Sequence, residues 1–393
     1  MVTIDVSQRR ARLARRHALA QPVRTVEEAC ASVFGLHSSD PASVHLSARA
    51  RVEGYRVADL DDALYERRSL VRMLGMRRTM FVIPTEVAST MDAACTKALA
   101  PGQRTRLVGY IEEAGISRSG GRWLRTVEAR TLAALREAGP STAVELTKLV
   151  PELGLKLTLG EGKTWGGTVG MSTRVLFLLA TDGHIVRGRP LGGWTSSQYR
   201  WAATDEWLGA PLDELPAPEA RADLVRRWLT AFGPGTEVDI KWWTGWTVKQ
   251  ARAALAAVDA VAVDLADAGG RPGYVLPDDL DPVEPPDPWI ALLPGLDPTI
   301  MGWKERDWYL GAHAGPLFDR NGNAGPTVWV DGRAVGAWAQ RADGSVAVEL
   351  LEAVPARTRK RIDAEAARVA EWCDGVKVTV RFSNPLVKEL AAS

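Results

Sequence analysis

The sequence predicts an α+β fold of three tandem winged-helix modules, each a helix-turn-helix with a small β wing, followed by a C-terminal small β-barrel domain. The first observation is an internal repeat, in which an amphipathic helix ends at a Gly-Pro-x-Thr junction, at 139–142 and again at 233–236. The junctions are 94 residues apart, about the length of one such module. The second is a change to short alternating segments after a proline-rich acidic stretch at 281–288.

The composition is that of a globular protein with two to four domains, at roughly 100–200 residues each. A net charge of +1 over 393 residues excludes a uniformly basic DNA-coating protein but allows a locally basic groove. No apolar run approaches the ~20 residues of a membrane span, and no signal peptide is visible, so we expect a cytoplasmic, nucleoid-associated protein. The three cysteines lie far apart and the histidines are scattered, so the sequence predicts no metal and no cofactor.

The first module is predicted over residues 1–125. An apolar helix at 26–34 follows Thr25, a residue type that caps helices, and a second helix is expected at 57–65. Alternating apolar residues within 70–84 predict two short wing strands that end at a proline. Helical periodicity returns directly after them.

The second and third modules are predicted over 126–213 and 214–285. In each, the Gly-Pro-x-Thr junction connects two helices, and its threonine is expected to cap the second. Each module then has two alternating segments around a glycine-rich turn, the pattern of a β wing. The expected wing strands are 183–188 and 194–201 in the second module and 261–265 and 274–276 in the third.

The C-terminal domain is predicted over 286–393, after the proline-rich linker. Alternating segments separated by turns predict a β meander, followed by a helix and a last strand. We therefore expect a small β-barrel, or a sheet, that carries one helix. The meander strands are expected at 326–330, 334–340 and 345–350, the helix at 356–372 and the last strand at 376–382.

A polar cluster after the first-module helix is the candidate catalytic site. His37, Ser38, Ser39 and Asp40 follow an apolar helix and precede a proline. One interpretation makes His37 a general base or water-positioning group, Ser39 a second ligand of that water, and Asp40 the residue that orients them. The other is a capping turn, in which Ser39 or Asp40 caps the next helix and His37 has no role. Residue type and spacing alone favour the capping turn.

Arginines on the wings are candidate DNA-binding residues. Arg77 and Arg78 lie on the first wing, and Arg187 and Arg189 lie on the second. Each pair alone is explained slightly better by a solvated hairpin tip. Arginine on every predicted wing favours contact with nucleic-acid phosphates.

Two further basic segments each have two interpretations. Lys304 and Arg306, with Trp303 beside them, fit either a phosphate clamp or a salt-bridged surface turn. The arginines within 9–16 have helical spacing, which fits a solvated helix face first and phosphate contact second.

Blocks spread over nearly the whole chain match one known family pattern. They are residues 35–41, 76–84, both Gly-Pro-x-Thr junctions, 242–245, 292–306 and 326–333. With these blocks the chain resembles the AlkZ/YcaQ-like superfamily of winged-helix DNA glycosylases. The resemblance implies three winged-helix modules and a β-barrel around a DNA channel. It also implies a catalytic signature of glutamine, an apolar residue, then glutamine or aspartate. That signature falls on His37 and Ser39, and both depart from it.

The resemblance predicts a monofunctional DNA glycosylase, a monomer that acts on double-stranded DNA with alkylated bases. The expected substrates are bulky N7-alkylpurine adducts, and the expected role is self-resistance to a DNA-alkylating natural product. A neutral His37 can accept a proton from water that Ser39 holds, whereas a protonated His37 would oppose a cationic transition state. Activity is therefore expected to fall at acidic pH.

Two alternatives stay open on the sequence alone. The departures at His37 and Ser39 favour a non-catalytic winged-helix DNA-binding protein, either a regulator or a damage binder. The near-neutral net charge favours a module whose winged helices bind protein. Salt dependence of binding separates the DNA interpretations from the protein one.

Overall fold

The computed structural model describes residues 1–159 and 167–393. No candidate site residue lies in the stretch between them. The helices are α1 Val6–Arg16, α2 Val26–Ser32, α3 Pro41–Arg49, α4 Val57–Asp61, α5 Ala88–Met91, α6 Ala100–Glu113, α7 Gly120–Ala138, α8 Ala143–Leu149, α9 Met171–Thr181, α10 Thr204–Leu208, α11 Ala217–Phe232, α12 Glu237–Thr244, α13 Val248–Ala257, α14 Pro298–Met301, α15 Asp307–Leu310, α16 Ala314–Leu317, α17 Ala356–Cys373 and α18 Pro385–Ala392. The strands are β1 Thr3–Ile4, β2 Leu36–His37, β3 Leu70–Leu74, β4 Met80–Pro84, β5 Lys156–Leu159, β6 Gly167–Gly170, β7 Ile185–Pro190, β8 Tyr199–Ala203, β9 Gly235–Thr236, β10 Val261–Leu265, β11 Pro272–Val275, β12 Ile290–Leu293, β13 Thr327–Val330, β14 Arg333–Gln340 and β15 Val346–Leu350. The fold is mixed α+β, and no helix among the described residues is long and apolar enough to cross a lipid bilayer.

Local capping chemistry sets the helix starts of the first module. Thr25 accepts a hydrogen bond from the backbone of Glu28, and the Glu28 carboxylate accepts one from the backbone of Thr25, so α2 begins where the sequence predicted. The predicted strand pair within 70–84 is confirmed as β3 and β4. The helical segment after β4 is less regular than expected, because α5 is flanked by a 3₁₀ turn and a π turn.

The strands predicted as the first two wings form one sheet rather than two free hairpins. Its strand order is β2-β4-β3-β7-β8, and Arg72 of β3 lies opposite Arg187 of β7. The second wing strand begins only at Tyr199, because the turn before it folds back onto the protein. Trp194 in that turn packs against His45 and Trp372, with ring centroids 5.4 and 5.3 Å apart.

The repeated junctions both cap helices as predicted. Thr142 begins α8 and Thr236 begins α12, each in a reciprocal hydrogen-bond pair with an acidic residue three positions later. Gly233 is required by close packing, since a Cβ there would lie 2.5 Å from the carbonyl oxygen of Leu229. The second junction therefore fixes the start of α12, the helix that carries Trp242.

Three of the N-terminal arginines, Arg9, Arg12 and Arg16, are neither on a solvated face nor free for phosphate contact. Strand β1 pairs in parallel with β10, which places α1 against the third predicted module. Arg9 binds Asp267 at 2.5 Å, and Arg12 and Arg16 both bind Asp279. Arg12 is only 1 % exposed. For Arg9, Arg12 and Arg16 both sequence interpretations are wrong, because these charges are neutralised by carboxylates more than 250 residues away, whereas Arg15 is exposed, as a solvated helix face predicts.

The C-terminal region is an open sheet, so the predicted small β-barrel is wrong and the alternative of a sheet is confirmed. Within 286–393, all of which the structure describes, the strands run in the antiparallel order β12-β13-β14-β15, and the two end strands do not pair with each other. Helix α17 covers one face through Ile362, Ala366 and Val369. The four residue ranges of the predicted domains remain a prediction.

The predicted last strand at 376–382 is also wrong. Its alternating valines suggested a strand, but the segment is irregular and leads into α18, which the sequence analysis missed. The Gln340 side chain makes hydrogen bonds to the backbone of this segment that a neighbouring strand would otherwise make. Its amide nitrogen donates to the carbonyl of Val376 at 3.2 Å and its oxygen accepts from the backbone of Val378 at 2.7 Å.

A buried polar network joins the N-terminal helices to the C-terminal region. Arg51 and Asp297, both fully buried, form an ion pair at 2.7 Å. Ser47 donates to Asp297 at 2.6 Å, and His17 contacts Thr299 at 2.9 Å. Buried charges are costly unless they are paired, so this network fixes how the two regions meet.

Candidate active site and DNA-binding surface

The His37 motif is held at the edge of the five-stranded sheet. Strand β2 pairs with β4, so that His37 lies opposite Phe81, and the backbone of Ser38 donates to the carbonyl of Met80 at 2.7 Å. Gly35 permits this pairing, because its φ is +107° and a Cβ there would lie 2.8 Å from Ile83. The backbone thus presents the motif in an extended form.

The His37 imidazole is buried and neutral. It is 5 % exposed, and its ring meets Phe81 edge-on at 5.1 Å between centroids. Burial, reinforced by the nearby Arg77 charge, lowers the pKa of His37 from 6.5 to about 3. Its Nδ1 atom is buried and makes no hydrogen bond within the described residues. A neutral imidazole with a free ring nitrogen can accept a hydrogen bond from water.

The hydrogen bonds of Ser39 and Asp40 distinguish the catalytic interpretation of the motif from the capping turn. Ser39 is half-buried, and its hydroxyl accepts a hydrogen bond from the backbone of Met80 at 3.3 Å. Asp40 caps α3 by accepting from the backbone of Ala42 at 3.0 Å, and its other oxygen accepts from the backbone of Arg381 at 3.1 Å. Since neither bond involves His37 or Ser39, the orienting role expected for Asp40 is wrong and its capping role is confirmed. Burial also raises the pKa of Asp40.

A cavity of about 520 Å³ lies between the β3–β4 turn and the second predicted module, and no residue of the motif 37–40 is among the described residues that line it. Met80 lines it and also hydrogen-bonds to Ser38 and Ser39 through its backbone, so cavity and motif share a strand. One part of the wall is apolar and another is cationic. The lining residues are Leu74, Arg77, Arg78, Met80, Gln103, Ala143, Thr173, Arg174, Leu176, Phe177, Ala180, Arg187 and Trp201.

Arg77 and Arg78 occupy the turn between β3 and β4. Both have left-handed backbones, with φ of 51° and 62°, a conformation that is strained for non-glycine residues and clusters at functional sites. The Arg77 guanidinium stacks on Trp242 at 4.1 Å. Burial, with a contribution from Arg306, lowers the pKa of Arg77 to about 10, which leaves it charged at neutral pH. Arg78 is exposed at the mouth of the cavity.

Arg187 and Arg189 are two residues apart but lie in different environments. Arg187 lines the cavity and lies 5.2 and 5.1 Å from the rings of Tyr199 and Trp201. Burial lowers the pKa of Arg187 to about 10. Arg189 forms ion pairs with Glu66 at 2.6 Å and Asp61 at 3.6 Å. The cavity therefore contains Arg187, whereas the charge of Arg189 is already neutralised.

In the segment 303–306, one residue does not lie where the sequence predicted. Trp303 is 2 % exposed and its indole donates to the carbonyl of Phe232 at 3.1 Å, so its expected role as a DNA contact is wrong. Lys304 is exposed. Arg306 is half-buried and stacks on Trp242 at 4.9 Å, the ring that Arg77 also contacts. Trp242 thus brings two predicted DNA-binding arginines together.

Sequence reasoning missed residues that the fold brings to the motif. Arg381 donates to the carbonyl of Ser39 at 3.4 Å from a segment predicted as a strand 342 positions away. Arg174 and Gln103 line the cavity from α9 and α6. Periodicity could not have found them, because their placement depends on packing between distant segments.

Comparisons with known proteins give a family and a fold. A family model described as DNA glycosylase AlkZ-like matches residues 30–372. The solved structure of the DNA glycosylase AlkZ from Streptomyces sahachiroi matches with a TM-score of 0.70 at 20% identity, over 94% of this chain and 98% of that chain. At this identity the structural match shows a shared fold. A search of curated protein sequences finds no match.

Proposed function

Because the chain belongs to the AlkZ-like DNA glycosylase family, we propose that it hydrolyses the N-glycosidic bond of bulky N7-alkylpurine adducts in double-stranded DNA. His37 and Ser39 hold the attacking water in this proposal. The observation that carries it is a buried, neutral His37 at the β2–β4 pairing, whose Nδ1 has no partner among the described residues.

The leaving group explains why neutral side chains suffice. A purine alkylated at N7 carries a positive charge. When the bond between C1′ and N9 breaks, its electron pair neutralises that charge, so the base departs without a general acid. The sugar is left as a cationic oxocarbenium ion, which a protonated imidazole would destabilise. A histidine with a pKa of about 3 avoids that repulsion at neutral pH.

Water completes the reaction at C1′. The water oxygen bonds to C1′ and becomes a strongly acidic oxonium, which transfers a proton to Nδ1 of His37 and from there to solvent. A weak base is adequate for so acidic a donor. The Ser39 hydroxyl accepts from the backbone of Met80 and can donate its own hydrogen to the same water.

The same surroundings support a monofunctional enzyme. The described residues that line the cavity include arginines but no lysine. An amine nucleophile is required for the Schiff base of a lyase step. We therefore expect an abasic site as the product, with an intact DNA strand.

DNA contact is proposed for cationic side chains that make no ion pair with a carboxylate among the described residues. Arg77, Arg78, Arg187, Lys304 and Arg306 stay in the proposal, and Arg381 joins them because it contacts Ser39. Arg189 is a weaker candidate because of its ion pairs. Sorting these charges onto one surface reconciles a net charge of +1 with DNA binding.

The remaining parts of the proposal come from the sequence. We propose three tandem winged-helix modules, a monomer in the cytoplasm associated with the nucleoid, and self-resistance to a DNA-alkylating natural product as the role. These statements rest on the repeated junctions and on the family.

The test is incubation with a duplex that carries one bulky N7-alkylguanine, followed by alkaline cleavage of abasic sites. Wild-type protein should give a cleaved strand, and His37→Ala should not. His184→Ala is the matched control, because His184 is exposed and lies outside the motif and the cavity. Tight binding of the duplex without any cleaved product would establish the non-catalytic DNA binder instead.

A further inference from the structure

Four arginines among the described residues are buried, and one of them lacks the carboxylate partner that the other three have. The three ion pairs are Arg9 with Asp267, Arg12 with Asp279 and Arg51 with Asp297. Arg72 is 2 % exposed, and no carboxylate of residues 1–159 and 167–393 lies within 4.0 Å of its nitrogens. A buried charge is costly unless a counter-charge neutralises it. The position of Arg72 therefore calls for an anion.

A second cationic side chain lies directly opposite Arg72 in the five-stranded sheet. Arg72 of β3 pairs with Arg187 of β7, and the side chains of opposite residues lie on the same face, with Cβ atoms about 4.5–5.5 Å apart. Both guanidinium groups lie over the Tyr199 ring, at 4.5 and 5.2 Å from its centroid, and Arg72 also donates a hydrogen bond to the Tyr199 hydroxyl. Like charges in opposite positions destabilise a sheet. These three residues, the Arg72 cluster, thus carry a repulsion that a bound anion would relieve.

The surroundings of the Arg72 cluster add positive charge. Burial lowers the pKa of Arg187 to about 10, with contributions from the charges of Arg72 and Arg381, and this value leaves Arg187 charged at neutral pH. The Asp61 carboxylate acts on Arg72 from beyond ion-pair distance, and it is already paired with Arg189 at 3.6 Å. The two guanidinium charges of the cluster are therefore not cancelled by the described residues.

A small ligand can reach the Arg72 cluster without passing the candidate catalytic motif. Arg187 lines the cavity of about 520 Å³, so the cluster borders on open space. In β4, Val82 lies opposite Arg72 and Phe81 lies opposite His37. Because neighbouring residues of a strand point to opposite faces, Arg72 and His37 lie on opposite faces of the sheet. The ligand of the cluster is therefore distinct from the water that His37 is proposed to hold.

We propose that the Arg72 cluster is a binding site for a phosphate-type oxyanion, held between the guanidinium groups of Arg72 and Arg187. The planar guanidinium fork matches phosphate oxygens through paired N–H donors. Such donors are left over here, because the Nε atoms of both arginines are buried and have no acceptor among the described residues. Free phosphate and a phosphodiester group of DNA share this chemistry. The proposal does not depend on glycosylase activity.

The first test is thermal unfolding of the full chain in phosphate and in sodium chloride of the same ionic strength. Phosphate should raise the wild-type Tm by at least about 2 °C relative to chloride, and Arg72→Met should show no difference between the two salts. Arg189→Met is the matched control and should keep the wild-type shift, because Arg189 is exposed on the same strand and already ion-paired. An equal shift in Arg72→Met would place the phosphate elsewhere. No shift in the wild type would show that the cluster binds no phosphate.

A structural role for Arg72 would give a different result in phosphate-free buffer. Arg72→Met removes an unpaired buried charge, so its Tm should be no lower than that of the wild type. Arg51→Met removes the partner of the buried Asp297 and should lower the Tm. If Arg72→Met lost as much as Arg51→Met, Arg72 would be a packing residue and the proposal would fail. Arg72→Lys keeps the charge and should keep part of the phosphate shift.

Competition with an undamaged duplex distinguishes the two sources of the oxyanion. If the cluster takes a phosphodiester group, phosphate should weaken duplex binding by the wild type at least about threefold more than chloride of the same ionic strength, and Arg72→Met should lose this difference. If the cluster takes free phosphate, the two salts should weaken duplex binding equally, while phosphate still raises the Tm of the wild type and not that of Arg72→Met.

Discussion

Two arginine-rich regions of this chain use the same side chain in opposite ways. In α1, Arg9, Arg12 and Arg16 each bind a carboxylate, and their charges are neutralised within the fold. In the lining of the cavity, Arg77 and Arg187 lie against aromatic rings and have no carboxylate partner among the described residues. The first arrangement holds segments together. The second leaves positive charge available for DNA.

The largest effect should come from removing a carboxylate that neutralises the arginines of α1. Asp279→Ala leaves Arg12, which is 1 % exposed, buried without its carboxylate. Loss of one partner of a buried pair typically costs about 3–5 kcal/mol, so the free energy of unfolding should fall by about 3 kcal/mol or more. Urea denaturation measures this. Arg78→Met, at an exposed arginine, should change it by less than about 0.5 kcal/mol. If both variants were equally stable, the arginines of the two regions would not differ in their contribution to the free energy of unfolding.

The next effect is acid destabilisation through the buried histidines. Burial lowers the pKa values of His17, His37 and His45 to about 3, whereas the unfolded chain binds protons near 6.5. Between these pH values the unfolded state holds more protons, so stability falls as pH falls. The slope is at most about 1.4 kcal/mol per pH unit for each histidine. Denaturation midpoints from pH 7 to pH 5 measure it, and His45→Gln should reduce the slope. A flat profile would mean that these rings titrate normally in the fold.

A smaller effect, on DNA affinity, should distinguish Arg187 from Arg189. Arg187→Met should weaken duplex binding about tenfold and reduce the dependence of log affinity on log salt by about one unit. Arg189→Met is the matched control, because Arg189 already pairs with Glu66 and Asp61. It should leave DNA affinity unchanged and cost at most about 1 kcal/mol of stability, as exposed ion pairs do. If Arg189→Met weakened DNA binding more than Arg187→Met, the cavity would not be the side of the protein that faces DNA. Fluorescence anisotropy at several salt concentrations distinguishes these outcomes.

The smallest effect concerns the pH dependence of excision. The sequence alone predicted a fall in activity at acidic pH, and a pKa of about 3 for His37 moves that fall below pH 4. Single-turnover excision should therefore change less than about twofold between pH 8 and pH 6. A histidine with its ordinary pKa of 6.5 would lose about fourfold over that range. A fourfold loss would show that the imidazole is accessible to solvent in the working enzyme.

Local rules were sufficient where the structure depends on neighbouring residues. Thr25, Thr142 and Thr236 could be identified as caps because the reciprocal acidic partner lies three positions on. The wing strands β3 and β4 followed from alternation ending at a proline. These signals need no knowledge of the tertiary fold.

The same rules failed where distant segments decide the outcome. Trp303 looked like a partner of Lys304 but packs into the core, and the valines of 376–382 alternate without forming a strand. In the candidate site, the motif was identified from sequence, whereas the burial that makes His37 neutral was not visible there. Neither was Trp242 as the common contact of Arg77 and Arg306.

The most direct measurement of the central claim compares three residues at position 37 on the same bulky N7-alkylguanine duplex. The proposed mechanism needs a neutral hydrogen-bond acceptor at position 37. His37→Gln, which restores the residue implied by the family signature, should therefore retain excision, while His37→Ala should lose about a hundredfold or more in single-turnover rate at pH 7. Circular dichroism confirms that both variants are folded. Excision by His37→Ala at the wild-type rate would contradict the account, because the water would then be held by other groups.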